Sequence, residues 1–221
     1  MAAPSYDYSF DASLATFNIS KAAFLAAHPH IARVMAAAMV FRPSSPPRTL
    51  LLCRAATDTY PLKWEVPGGS VDAADATILD GVARELFEES GLTATRLAAP
   101  ILMSPEEPLP EPVRAGLGIQ PQHETLGHEG LTVTFVESRN LWAKLTALVT
   151  VRADDEVRLT PEEHGEAAWV SEDEVRRAVL PPKEEGEGER KLDFVSDGVR
   201  RSILDGFRVY AESVAKESNQ A

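Results

Sequence analysis

The sequence is short of cysteine, of positive charge and of long apolar runs, and each shortage removes a class of protein. A single cysteine, Cys53, among 221 residues excludes an internal disulfide and a zinc cluster of cysteines. It sits in the apolar run Leu50-Leu51-Leu52-Cys53, where a buried strand residue is the expected role. Lys and Arg number 22 against 34 Asp and Glu, a formal net charge of -12. That balance speaks against a protein that grips a nucleic-acid polymer, because affinity for a phosphate backbone comes from clustered Lys and Arg. No apolar segment approaches the ~18 uninterrupted residues that suggest a membrane span. The N-terminus carries Asp7 and Asp11 where a secretory leader would carry positive charge and an apolar core. The cytoplasm is therefore the expected compartment, without a membrane partner. What is present, 44% hydrophobic and 25% charged residues, is the composition of a globular chain, and the length favours one domain over two.

Along the chain, Ser20 is placed to cap a short helix over 21–27 that His28-Pro29 would end. Apolar runs over 33–41 and 49–54, separated by Pro43-Ser44-Ser45-Pro46-Pro47, read as a pair of strands, although Ala36-Ala37-Ala38 would suit a helix equally. Trp64-Glu65-Val66-Pro67-Gly68-Gly69 reads as a strand broken by a tight turn. A helix follows from Asp75, read as its N-cap, to about Ser90, with Gly91 as its stop. Five prolines between Ser104 and Gly130 predict a long surface loop over 104–130. Further strands are expected over 131–136 and 141–151, then a polar loop over 161–166 before Ala168-Trp169-Val170. Ser171 and Glu174 have the spacing of a capping box. The segment 183–191 reads as a solvated, charge-dense loop. A last helix over 196–215 places Val199, Ile203, Leu204, Phe207 and Tyr210 on one face, which predicts that it docks on the body.

Chemistry concentrates on the helix. Glu85, Glu88 and Glu89 stand at i, i+3 and i+4 and project from one side, while Leu79, Val82, Ala83 and Leu86 form the side to be buried. Each like-charge pair costs roughly 0.2–0.5 kcal/mol on an exposed helix. A hard divalent cation turns that repulsion into coordination, and magnesium takes oxygen ligands. Upstream, Gly68-Gly69 lets a peptide carbonyl come close to such an ion. A solvated acidic stripe and an ordinary tight turn are the plain alternatives for the two features taken singly.

Taken together, these residues resemble the Nudix hydrolase family, whose signature is Gly-x5-Glu-x7-Arg-Glu-U-x-Glu-Glu-x-Gly-U, with U a bulky aliphatic residue. Arg84, Glu85, Leu86, Glu88, Glu89, Gly91 and Leu92 occupy the positions of its second half without a gap. The first half departs from it: Asp75 stands where the first Glu belongs, and eight residues rather than seven separate it from Arg84. The resemblance implies an α/β/α sandwich with a mixed β-sheet, its core about 31–179, interrupted by the 104–130 loop insertion and followed by the C-terminal helix.

It also implies the reaction, which is hydrolysis of a phosphoanhydride in a nucleoside diphosphate linked to another group, assisted by Mg2+ or Mn2+. Glu85, Glu88, Glu89 and the Gly69 carbonyl are then the metal ligands, and Arg84 orients a carboxylate. Glu163 is preferred to Glu162 as general base, and His164 receives no chemistry. Tyr60, Trp64, Phe135, Trp142 and Trp169 are candidates to stack a base, with core packing as the alternative. Arg42, Arg54, Lys63 and Lys144 are candidates to touch phosphate, with solvation as the alternative. The partner is a small diphosphate, and a homodimer is compatible with this architecture. Isoprenyl diphosphate or inositol pyrophosphate hydrolysis, and ligand sensing without cleavage, are the competing readings. A dense basic pocket would mark the inositol substrate and an apolar tunnel the isoprenoid.

Overall fold

β2 (Arg33–Arg42) organises the sheet because it pairs with different neighbours along its length. Its first part lies between β5 (Gly68–Ser70), antiparallel, and β8 (Asn140–Val151), parallel. At its far end Phe41 and Arg42 pair with Thr49 and Arg48 of β3 (Arg48–Arg54), the expected antiparallel connection. The sheet continues from β8 to β6 (Ala94–Ile101) and β1 (Ser9–Phe10). On the other side β3 pairs with β4 (Trp64–Glu65) and β9 (His164–Ser171), and β7 (Val133–Glu137) forms a hairpin with β8. β2 thus joins the strands on its β8 side to β5 and to the β3–β4–β9 group. A small antiparallel pair, β10 (Val179–Leu180) with β11 (Arg190–Lys191), gives order to part of the segment read as a loop. This computed structural model describes residues 6–29, 31–101, 133–137, 140–184 and 188–218. The loop expected over 104–130 and the side chain of Phe135 lie outside them.

Alternation along β2 and β3 sorts two cores. Val34, Ala36, Ala38 and Val40 of β2, with Leu50 and Leu52 of β3, face α2 (Ile78–Ser90), whose Ile78, Leu79, Val82, Ala83 and Leu86 are buried against them. Ala37, Met39, Leu51 and Cys53 face the opposite layer, which includes Val199, Ile203 and Phe207 of α4 (Asp197–Ser218). Helices on both faces of a mixed sheet make the expected α/β/α arrangement. Cys53 is the buried strand residue that its run predicts. α1 (Lys21–Ala27) begins at Ser20, whose side chain accepts from the Ala23 amide. The capping box of α3 (Glu172–Arg177) is formed by Ser171 and Glu174 as expected.

One helix boundary differs from the sequence reading. Thr77, not Asp75, is the N-cap of α2; its hydroxyl accepts from the Asp80 amide, and Asp80 accepts from the Thr77 amide. Asp80 supplies the third-position carboxylate of a capping box, so Thr77 satisfies two amides reciprocally and Asp75 is released for other work.

The layers come close because the facing residues are small. Ala36 of β2 lies near Gly81 of α2, where a Cβ would stand 3.5 Å from the alanine methyl. On the other face, a Cβ at Gly206 of α4 would fall 2.0 Å from Met39 Sδ. A methyl at Gly81 would thus meet Ala36 at ordinary contact distance, whereas Gly206 leaves no room for a methyl beside Met39. Gly206→Ala is therefore expected to lower unfolding stability in urea by about 1–3 kcal/mol. Adding Met39→Ala should make the pair less destabilising than the sum of the two single changes, whereas simple additivity would show that the contact is unimportant.

Candidate active site

Gly68 and Gly69 are wedged between β2 and the acidic side of α2, and sterics explain both. A Cβ at Gly68 would lie 2.5 Å from Ala37 Cβ and 2.7 Å from the Ala36 carbonyl oxygen, and backbone cannot yield there. A Cβ at Gly69 would lie 2.8 Å from both carboxylate oxygens of Glu85. The Gly68 amide donates to Glu89 Oε2 at 2.7 Å. The glycine turn and the helix carboxylates are thus one construction.

Arg84 ties that construction to the loop before the helix. Its Nε donates to Asp75 Oδ1 at 2.9 Å and its Nη2 to Asp75 Oδ2 at 3.0 Å, a two-point grip. Nη2 also donates to the Ser70 carbonyl at 2.9 Å, and Nη1 lies 2.9 Å from Glu85 Oε1 and 2.8 Å from Glu88 Oε2. Burial opposes the charge, but the Asp75 hydrogen bonds and the charges of Glu85 and Glu88 raise the guanidinium pKa above its ordinary value. Asp75, buried and also accepting from the Asp72 amide at 2.7 Å, positions Arg84 despite the extra residue between them.

The glutamates separate into two environments. Glu85 and Glu89 are buried, whereas Glu88 is exposed, leans on Arg84 and lies outside the cavity wall. Burial raises the Glu85 carboxyl to about 7, with Arg84 opposing and Glu88 and Asp75 adding to the shift. Burial raises Glu89 to about 9; the Gly68 amide opposes this, and the charges of Glu65, Glu85 and Glu163 reinforce it. A divalent cation bound between these carboxyls would compete with their protons. The hard oxygen donors, their withdrawal from water and the side-chain-free glycine edge fit a magnesium-type ion.

Across from them, Glu163 and His164 stand where the chain enters β9. Thr160 anchors this segment by donating its hydroxyl to the Glu88 carbonyl at 2.7 Å, and the Arg158 amide donates to the Ser90 carbonyl at 2.8 Å. A cavity of about 610 Å³ lies between this segment and the helix carboxylates, with Glu85, Glu89, Gly68, Gly69 and Glu163 in its wall. Met35, Trp142, Lys144, Arg54, Glu65 and Tyr60 line the remainder, and Val195, Ser196 and Val199 close it from the start of α4.

Several of these residues escape a reading for motifs. Glu65 is buried and paired with Arg54, which also donates to Asp58 Oδ2 at 2.6 Å. Burial alone would raise the Glu65 carboxyl, but His164, Lys144 and Arg54 hold it below the usual range. A charged residue inside an apolar strand is the available signal, and Glu65 and Lys144 both give it. Lys144 is buried and lines the cavity without an ion pair or hydrogen bond among the described residues. The other candidate cations are committed elsewhere: Arg42 stacks on Trp169 at 4.0 Å, and Lys63 bonds Asp193 at 2.6 Å. Trp64 is core. Trp142 and Tyr60 are the aromatic residues at the cavity wall.

The raised carboxyls make ion-free stability depend on pH. Their folded values lie above the ordinary 4.5, so their contribution is complete below that value and is lost as pH rises through about 7 for Glu85 and about 9 for Glu89. The melting temperature of ion-free protein should accordingly fall between about pH 5 and about pH 9. Magnesium should restore it most at the alkaline end, and Glu89→Gln should flatten the profile. A flat wild-type profile would contradict this electrostatic account.

Comparison with known proteins adds an independent line. The family model of the NUDIX domain matches residues 32–192. No curated protein is matched significantly. Among solved structures, the NUDIX domain of Shewanella oneidensis NrtR, complexed with ADP ribose, is similar at 14% identity. The match covers 87% of this chain and 99% of that one with a TM-score of 0.51. A NUDIX hydrolase from Nitrosomonas europaea is similar at 17% identity over 82% of this chain and 90% of that one, with a TM-score of 0.50. A MutT NUDIX hydrolase from Burkholderia pseudomallei is 21% identical over 70% and 90% of the two chains, with a TM-score of 0.44.

Proposed function

The chain belongs to the Nudix family and is a pyrophosphohydrolase, and we propose that it uses Mg2+, or Mn2+, to cleave a nucleoside diphosphate linked to another group. The observation that carries this reading is the convergence of buried Glu85 and Glu89 with the Gly68-Gly69 edge at one cavity, opposite Glu163. Glu85, Glu89 and the Gly69 carbonyl would hold the ion, with Glu88 joining from its exposed position beside Arg84. When bound, such an ion would neutralise charge on the diphosphate and lower the pKa of a water molecule. Asp75 and Arg84 keep the Glu85 carboxylate in place. Glu163, exposed at the cavity, accepts the proton of the attacking water.

Lys144 offers its ammonium to a substrate phosphate, and a base would lie along the wall formed by Tyr60 and by Trp142, which has Arg33 5.3 Å over its ring. Only Arg54 and Lys144 are basic among the described residues of the wall, which favours a nucleotide over an inositol pyrophosphate. The wall is also too polar for an isoprenoid tunnel, given Asp58, Glu65, Ser70 and Ser196. A cytoplasmic, small-molecule role fits the acidic chain, and no described helix is long and apolar enough to cross a membrane.

The reading is tested by a panel of diphosphates with magnesium, headed by ADP ribose and including dinucleotides, isoprenyl diphosphates and inositol pyrophosphates. Turnover of a nucleotide member is expected, and Glu89→Gln should reduce kcat by about 100-fold or more while preserving the circular dichroism spectrum. Turnover confined to a non-nucleotide would overturn the substrate class. Full activity of Glu89→Gln would remove that residue from the site.

A further inference from the structure

His164, buried next to the cavity residue Glu163, is the anomaly of the site. Its ring is 1% exposed, yet among the described residues neither nitrogen has a hydrogen-bond partner. Buried polar atoms without partners are rare because each forfeits its hydration, so a specific explanation is required. Nδ1 lies 4.0 Å from Glu89 Oε1 and Nε2 lies 4.0 Å from Glu65 Oε1, both beyond hydrogen-bonding distance. The ring therefore stands between two buried carboxylates and bonds to neither.

Those carboxylates differ in what else they do. Glu65, on β4, is held by Arg54, whereas Glu89 belongs to the acidic side of α2. One ligating atom from each of Glu89, Glu163 and His164 falls within 4.8 Å of the others. Ligands about 2.1 Å from an ion stand roughly 3 to 4.2 Å apart in an octahedron, so a small contraction would bring the three to coordination distance. We propose that Glu89, Glu163 and His164 form a mixed nitrogen and oxygen site for a divalent transition ion such as Mn2+, Co2+ or Zn2+, with Glu65 orienting the imidazole.

The proposal rests on the reading of Glu89 as a metal ligand and extends it in kind. A ligating histidine characteristically gives its second nitrogen to a carboxylate, which fixes the tautomer and the ring. Here Nε2–H would point to Glu65 and the Nδ1 lone pair to the ion, and the anchoring of Glu65 by Arg54 makes that orientation firm. A nitrogen donor shifts preference away from magnesium, which favours oxygen, toward ions that bind imidazole. One Glu163 oxygen suffices as a ligand, and the other stays available to accept a proton.

The test is binding to the metal-free full-length protein with Mn2+, Co2+ and Mg2+ as probes. Pulsed electron paramagnetic resonance of the Mn2+ complex should show modulation from a coordinated ring nitrogen, lost in His164→Gln. Co2+ affinity should fall by about tenfold or more in His164→Gln and in Glu163→Gln. Mg2+ affinity should change by less than about twofold in His164→Gln. Absence of nitrogen modulation in the wild type, or equal losses for Co2+ and Mg2+ in His164→Gln, would overturn the proposal. If His164→Gln does not fold, the wild-type spectrum and the surface variant Glu163→Gln decide. Magnesium-supported turnover without nitrogen coordination would refute this site alone, whereas nitrogen coordination without turnover of any diphosphate would refute the proposed reaction instead.

Discussion

Glu85 and Glu89 are pressed out of water against a glycine pair that has no side chains to set against them, and the surrounding structure is arranged to make that arrangement tolerable. Glu89 receives the Gly68 amide, and Glu85 lies beside the Arg84 guanidinium. Burial still dominates, so in the absence of a cation these carboxyls retain protons far above the usual range. The helix that carries them is fixed at its start by the Thr77 and Asp80 cap and at its end by Gly91 in a left-handed conformation. Its apolar side is sunk in the core. Rotation of α2 about its axis would expose leucines and bury more charge, and so the orientation of the carboxylates follows from the hydrophobic side of the same helix.

The electrostatics extend outward in linked pairs. Asp75 holds Arg84, Arg84 touches Glu85 and Glu88, and on the opposite wall Arg54 holds Glu65 beside His164. In a chain of net charge -12, the arginines at the cavity are thus engaged with carboxylates of the protein itself. An anionic ligand meets an acidic wall relieved mainly by Lys144, which is why a bound cation is central to the proposed chemistry.

Much of this was legible in residue order because it depends on local spacing. The i, i+3, i+4 glutamates, the glycine pair, the Ser20 and Ser171 caps and the apolar side of α4 all follow from periodicity or short-range hydrogen bonding. The parts that were not legible depend on contacts across distant segments. Asp75 and Thr77 are both cap-forming residues ahead of the same apolar run, and the bond from Arg84 to Asp75 spans a loop that spacing alone does not shape. The difference between exposed Glu88 and buried Glu89 arises from β5 and β9 rather than from the helix itself. Glu65 and His164 become neighbours only because β9 and β4 pair with the same strand.

The alanines of β2 act as spacers. Ala36 and Ala37 leave room for Gly81 and Gly68, so the depth at which the acidic edge sits is determined by volume left out of the middle layer. A methyl group added along this line would be transmitted as a translation of a neighbouring element. Families of such enzymes could therefore retune the bite of the site through neutral, buried positions that carry no chemistry of their own, and the residues that calibrate the cavity need not be among those that touch what it holds.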